Sequence, residues 1–501
     1  MGKKDKNKKK GKGAEKTAMK TDKKLAAKQK KLLSKIGESD IAEVVAQLEA
    51  EETRIKSVQE AVCTPPSPRS NFTFVAHPDK EELILFGGEF FNGQKICIYN
   101  DLFFYNIPKA EWKMVKSPSG PAPRSGHQMV SVSTDGGQLW VFGGEHASPS
   151  QMQFYHYKDL WCYRLNNKTW EKVNAPNGPS ARSGHRMVAS KKKLIVFGGF
   201  HDNNHAYKYF NDVHVFSLES YTWLKVDIGG AILPPPRSGC CIAANTDGKI
   251  YVWGGYTKSS VKKDIDRGVV HTDMHTLIPD KCEAAKFKWS SLKATGYKPL
   301  PRSSVGFTVS ANNRAYCFGG VMDTEEDEED VKGQFGDELS CLDLTSNQWR
   351  LLEVEKRVKE KVESSEVEMG DSSTSTTTSD GIFTITVGAP TVTKSLFGLK
   401  PKLTAKPGPT ARMNPGMCVC KGNLYVYGGI YEDEDKQYTY NDFYSVDLHK
   451  LEEWKVLIKN DQNAHDWIDS GESDSENSDD DDDMSDEDSE DDDDSDGMET
   501  D

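Results

Sequence analysis

Three kinds of side chain in this 501-residue chain could do chemistry, and they recur at fixed spacing. Arginines stand at 69, 124, 182, 237, 302 and 412, each 16 to 19 residues ahead of a Gly-Gly pair. An acid follows each pair, at Asp101, Asp159, Asp212, Asp273, Asp337 and Asp442. His127, His185 and Cys240 occupy equivalent places shortly after three of the arginines. A guanidinium fork matches carboxylate or phosphate oxygens two at a time, so Arg124, Arg182, Arg237 and Arg302 are candidates for holding an acidic or phosphorylated partner. The competing reading is that each arginine braces its own segment. Recurrence in every copy favours bracing, because a site rarely needs six identical parts. No GxSxG, Walker A or HExxH string appears, so none of the local signatures of a nucleophile elbow, nucleotide loop or zinc protease is present.

The elements that position these residues repeat as well. Six times an apolar strand runs into a glycine pair: LILFGG to Gly88, LWVFGG to Gly144, LIVFGG to Gly199, IYVWGG to Gly255, AYCFGG to Gly320 and LYVYGG to Gly429. The intervals are 56, 55, 56, 65 and 109 residues, one unit copied with insertions late in the series. Each unit closes on a tryptophan, at 112, 170, 223, 289, 349 and 454. Between the landmarks lie four short apolar or alternating runs, A to D, separated by turn formers, which predict a four-stranded antiparallel meander. Such a sheet has two apolar faces and cannot bury both alone; repeating it about an axis lets neighbours cover one another.

The Gly-Gly pair, the aromatic strand after the acid and the spaced Trp resemble the kelch repeat, over residues 63–460. The resemblance implies an all-β, six-bladed kelch β-propeller whose work is protein binding. It also raises two other readings: a substrate receptor of a ubiquitin ligase, as many kelch proteins are, and a propeller oxidase with a copper centre. No BTB-like domain precedes the repeats, and no motif marks a copper-ligand cluster. We therefore expect a non-enzymatic scaffold or adaptor without cofactor or metal. The ring geometry also separates His127, His185 and Cys240 by about its radius, too far to share one ion with bonds near ~2.0–2.3 Å. Blades one and six are expected to close the ring by direct packing, since no spare strand is evident before Arg69.

In a meander the B-to-C and D-to-A connections leave one face, the A-to-B and C-to-D turns the other. The A-to-B turns, such as SKKK and NTDGK, are minimal, whereas the B-to-C segments, such as EFFNGQKICIYN and FHDNNHAYKYFN, are long and aromatic. Long loops on a rigid scaffold carry recognition. That face is therefore the expected binding surface, with Phe90, Phe91, Phe154, Tyr155, Tyr157, Tyr207 and Tyr209 as its anchors. The insertion at 355–405, expected to be largely linker, and the acidic stretch Glu325–Asp330 fall on the same side.

Charge sits in the tails. Residues 1–35 hold fifteen Lys against three acids, and residues 466–501 hold twenty-one acids with no Lys or Arg. Removing these from 64 basic and 78 acidic residues leaves 49 against 54, so the net charge of −14 describes the ends. The Lys-rich arm (1–38) and the acidic tail (461–501) cannot bury enough apolar surface to fold and are expected to be disordered. The arm would suit nucleic acid or a nuclear address, and the tail a basic protein. Ser473, Ser478, Ser485 and Ser489 each precede an acid by three residues, which makes them phosphorylation candidates for an acidophilic kinase. Between arm and propeller, residues 39–60 predict an amphipathic helix: Asp40 caps it, and Ile41, Val44, Val45 and Leu48 share one face. Docking of this helix on the propeller is the expectation. No apolar run of about 18 residues and no secretory h-region appear. The ten Cys lack CxxC spacing and read as ordinary thiols. The chain is expected to be a monomer of the cytoplasm or nucleus, away from membranes.

Overall fold

The alternating apolar runs pair as expected into six antiparallel sheets ordered A-B-C-D. The structure is a computed structural model that describes residues 33–35, 37–202, 207–262, 265–283, 285–327, 330–354, 408–433 and 436–460. In blade two the strands are Gln128–Val132, Gln138–Phe142, Leu160–Arg164 and Thr169–Val173. The other blades follow the same plan, down to Lys455–Ile458 as strand D of blade six. Strand B is buried along nearly its whole length in every blade, which accounts for its continuous apolar run. The A strands line a central channel of about 810 Å³.

Each tryptophan packs backwards onto the aromatic that precedes the glycine pair of the previous blade. Trp170 meets Phe86 at 5.3 Å between ring centroids, Trp223 meets Phe142 at 5.8 Å, and Trp289 meets Phe197 at 5.4 Å. The series continues with Trp349 on Trp253 and Trp454 on Phe318. At the closing seam Trp112 of blade one lies 5.8 Å from Tyr427 and 5.9 Å from Phe443 of blade six. Tyr427 also donates its hydroxyl to the Pro66 carbonyl at 2.7 Å. Direct packing of blades one and six thus closes the ring.

The glycine pairs make the blades fit. All twelve glycines have positive φ, and a Cβ on Gly87 would come within 2.7 Å of the Arg124 carbonyl oxygen in the next blade. The second glycine of the pair donates across the same seam, as Gly88 does to Arg124 O at 3.0 Å and Gly144 to Arg182 O at 3.0 Å. Nearer the axis, Gly126, Gly184 and Gly239 donate in turn to Asn71, Gly126 and Gly184, each at 2.9 Å, so backbone bonds link the blades around the channel.

Several details differ from the expectations. A spare strand does precede Arg69: Gln59–Cys63 pairs antiparallel outside strand D of blade one. The helix is accordingly shorter than 39–60, running Ile41–Glu52. The B-to-C segments are two-stranded hairpins, among them Glu89–Phe91 with Ile96–Ile98 and Phe200–Asp202 with Tyr207–Tyr209. The acids of 325–330 lie on such a hairpin, Val321–Asp327 with Asp330–Phe335. Two further edge strands, Asp227–Gly229 and Thr295–Gly296, pair in parallel with the D strands of blades four and five. The Lys-rich arm before residue 33, the 355–405 insertion and the acidic tail lie outside the described residues.

Candidate functional site

The helix docks as expected, on the face of the B-to-C hairpins. Asp40 accepts from Ala42 N at 2.8 Å as its cap. Gln153 of the blade-two hairpin holds the helix start, accepting from Ile41 N at 3.1 Å and donating to Ser39 O at 2.9 Å. At the other end the Glu52 carbonyl accepts from Ser119 N, in the D-to-A connection, and its carboxylate accepts from Asn100 at 2.7 Å. Contacts to both connection types place them on one face. Val45, 2% exposed, packs with Ala122 and Tyr157, and Leu48 and Tyr155 flank it. The chain itself therefore covers blade two's share of the surface.

This relocates part of the aromatic set. Tyr157 is buried, donates to Pro123 O at 3.1 Å and stacks over the Arg124 guanidinium at 4.0 Å, so it cannot anchor a partner. Tyr155 lies half-buried beside it and beneath the helix. Phe154 is half-buried at the edge of the same hairpin. Phe90 and Phe91 in blade one, and Tyr207 and Tyr209 in blade three, are half-buried on their own hairpins. Tyr207 faces Tyr209 at 6.1 Å, and the Lys258 ammonium of blade four sits 5.4 Å over Tyr207.

The arginines resolve into two groups. Arg124, Arg182 and Arg237 are fully buried, which removes them from any partner's reach and corrects their candidacy as a cationic rim. Arg124 grips Asp159 through two bonds, at 2.7 and 3.1 Å, and Arg182 and Arg237 hold Asp212 and Asp273 in the same way. Each Nε donates to the carbonyl two residues back, and each Nη1 also reaches the carbonyl of the first glycine of the pair. Burial alone would raise the Asp159 carboxyl, but the Arg124 guanidinium outweighs it and holds that carboxyl below its usual range. Arg69 and Arg412 brace blades one and six likewise, through Asp101 and Asp442. In blade five the acid is Glu338 rather than Asp337, and Arg302 meets it through Nη1 alone at 2.9 Å.

His127 and His185 pack edge-on against Phe86 and Phe142 of the preceding blades, both at 5.2 Å, as seam residues. Among the described residues no three of His, Cys, Asp and Glu gather as metal ligands. The ten cysteines are all free thiols, and seven of them are buried.

Sequence reasoning missed a polar group at the channel mouth. Glu89 and Glu145, each directly after a glycine pair, turn inward where the later blades carry Phe200, Tyr256, Val321 and Ile430. Glu145 accepts from Ser183 Oγ at 2.8 Å and lies 3.5 Å from His156 Nδ1; Glu89 accepts from Asn71 Nδ2 at 2.5 Å. Burial, with the Glu89 and Asp202 charges adding, pushes the Glu145 carboxyl up to about 8. An acid raised in the folded state keeps a proton that the unfolded chain releases, so its contribution is intact below the unfolded value near 4.5 and is lost as pH rises through about 8. A fifth of the side chain is still exposed, which discounts the effect to on the order of 2 kcal/mol. Denaturant melts of Glu145→Gln beside the parent at pH 5 and pH 8.5 should show the variant gaining by that amount at the higher pH; parallel curves would contradict it.

A family model described as the KLHDC2/KLHL20/DRC7 Kelch-repeats domain matches residues 37–244 and 156–372. The N-(sulfonatooxy)prop-2-enimidothioate sulfolyase of Thlaspi arvense is 25% identical over 309 residues, 58% of this chain and 80% of that protein. Human host cell factor 1 is 26% identical over 312 residues, and mouse Kelch domain-containing protein 1 is 25% identical over 248. Those matches take in 57% and 44% of this chain, and 14% and 55% of the respective relatives.

Proposed function

The chain belongs to the kelch-repeat family, and from that premise we propose that it is a non-catalytic protein-binding scaffold whose hairpin face grips its partner. The observation that carries the reading is the division of the ring's two ends. One end bears short turns such as the one joining Ser190 to Lys193, while at the other every blade extends a hairpin. Paired strands present aromatic side chains at lower entropic cost than free loops do, which suits them to recognition. With the helix over blade two, blades three and four offer the aromatic and cationic combination of Tyr207, Tyr209 and Lys258. The acidic tail of residues 466–501 favours a partner with basic surface, in nucleus or cytoplasm.

Affinity purification from the native cell tests this with the full chain, a Tyr207→Ala/Tyr209→Ala variant and a chain ending at residue 460. The expected result is loss of about 2 kcal/mol for the hairpin variant, near thirtyfold in affinity. The shortened chain should bind with a weaker dependence on salt. Retention of every partner by the hairpin variant at parental strength would remove the face from consideration.

A further inference from the structure

Five of the six repeated arginines have their donors occupied inside their own blade, and Arg302 does not. In the other copies Nε donates to a carbonyl, at Ser67, Ala122, Ser180, Pro235 and Thr410. In four of them an aromatic ring roofs the guanidinium at 4.0 to 4.2 Å: Tyr99, Tyr157, Phe210 and Tyr440. Blade five carries Gly336 at that place, and a Cβ there would run into the Arg302 guanidinium. The acid at the place of the other blades' aspartates is Glu338, and it takes Nη1 alone. Among the described residues Arg302 Nε has no hydrogen-bond partner, on a side chain 10% exposed. A buried guanidinium donor left unmade is costly, and protein interiors rarely tolerate one.

Arg302 lines a cavity of about 120 Å³ between blades four and five. Trp253, Trp349 and Leu300 form apolar walls; Arg302, Glu338 and Tyr297 form the polar end, where Tyr297 donates to Glu338 Oε1 at 3.2 Å. Leu300 is 45% exposed, so the cavity communicates with solvent beside the D-to-A connection. We propose that this cavity binds a carboxylate carried on a short apolar stem, gripped by the Nε–Nη2 edge of Arg302 with the stem against the wall that Leu300 and the two indoles form. Glu338 already balances the guanidinium through Nη1, and the opposite edge of the fork is the one shaped for two oxygens. The volume admits only a few water-sized groups, the scale of a short-chain acid or of a glutamate side chain. A cation would meet an arginine, and a large phosphorylated ligand would not fit. The site stands apart from the hairpin-face reading, and the two fail separately.

The test uses the full chain with butanoate, its neutral amide, and the blocked tripeptide acetyl-Gly-Glu-Gly-amide. Binding is read by saturation-transfer NMR on the probe and by tryptophan fluorescence, since two indoles wall the cavity. Butanoate should saturate at about millimolar concentration, with the amide at least about tenfold weaker because it lacks the charge the fork selects. Tighter binding of the tripeptide assigns the carboxylate to a protein side chain; tighter binding of butanoate assigns it to a free acid. Arg302→Met should abolish both. Leu300→Trp leaves Arg302 intact and fills the cavity from its exposed side, so it should abolish binding too and decides the matter if Arg302→Met does not fold. Equal binding of butanoate and its amide, no binding of either acid, or parental binding by Leu300→Trp overturns the proposal.

Discussion

Replacing Trp289 by alanine is expected to destabilise the propeller by about 3–5 kcal/mol, read as a shift in the denaturant midpoint of the whole β signal. The indole is 2% exposed and fills the seam between blades three and four, against Phe197 at 5.4 Å and within the buried cluster that also holds Val215. Its removal leaves a void that cannot collapse, because the Gly198–Gly199 turn behind it is pinned. Gly199 donates to Arg237 O at 2.9 Å, and a Cβ at Gly198 would approach the same oxygen at 2.6 Å. A pinned wall puts the cost at the upper end of that range. Trp289→Phe keeps much of the contact and should lose about 1–2 kcal/mol. A loss below about 1 kcal/mol for the alanine variant would mean that the seams do not hold the ring together as described.

The second large effect concerns charge. Arg124→Met should cost about 3–5 kcal/mol, because Asp159, its side chain 9% exposed, is left buried with Trp161 Nε1 as its nearest remaining donor, at 2.7 Å. Removing both partners in Arg124→Met/Asp159→Leu should restore part of the loss, since an apolar pair of similar volume avoids the desolvation of a carboxylate left with only Lys172, 4.0 Å away, as counter-charge. Arg302→Met, made at the same repeat position, should cost less than about 1 kcal/mol, because its single bond to a carboxylate 34% exposed is replaceable by water. Equal losses at 124 and 302 would show that the broken repeat has no energetic consequence. Thermal or urea melts of the four proteins at one ionic strength make the comparison.

How far these features could be read from the chain depends on whether they repeat. The glycine pair, the opening arginine and the closing tryptophan recur because each solves a packing problem that every blade has, and repetition separates them from chance. The helix was legible for a different reason: Asp40 and the 41/44/45/48 stripe are local signals, and the amphipathic face at Val45 had to be covered by something. What repetition could not show is where a copy departs. Asp337 reads as the acid of blade five because it is the aspartate nearest the expected spacing, yet the strand register puts Glu338 in that place: Phe318 pairs with Leu339 as Phe142 pairs with Leu160 after Asp159. Gln59–Cys63 was illegible because QEAVC is short and nearly all exposed, so no apolar periodicity marks it. The hairpins were read as loops because their strands are three residues long in blades one to three. Tyr157 could be told from the other candidates only by its repeated place two residues before the acid, where Tyr99, Phe210 and Tyr440 also roof an arginine; the burial of Tyr155 depends on the docked helix, which its own sequence does not mark.

The closing seam has a consequence for how the protein is made. Among the described residues no strand is shared between the first and last blades; they meet through Phe74 and Trp112 on one side and Tyr427 and Phe443 on the other, more than 300 positions apart along the chain. During synthesis the flank of blade one that carries Phe74 and Trp112 must stay bare until blade six has left the ribosome, after nearly 350 further residues have been added. A sticky edge held open for that long is an invitation to misassociate. Demand for chaperones should therefore peak late in translation and fall abruptly once Ile458 clears the exit tunnel.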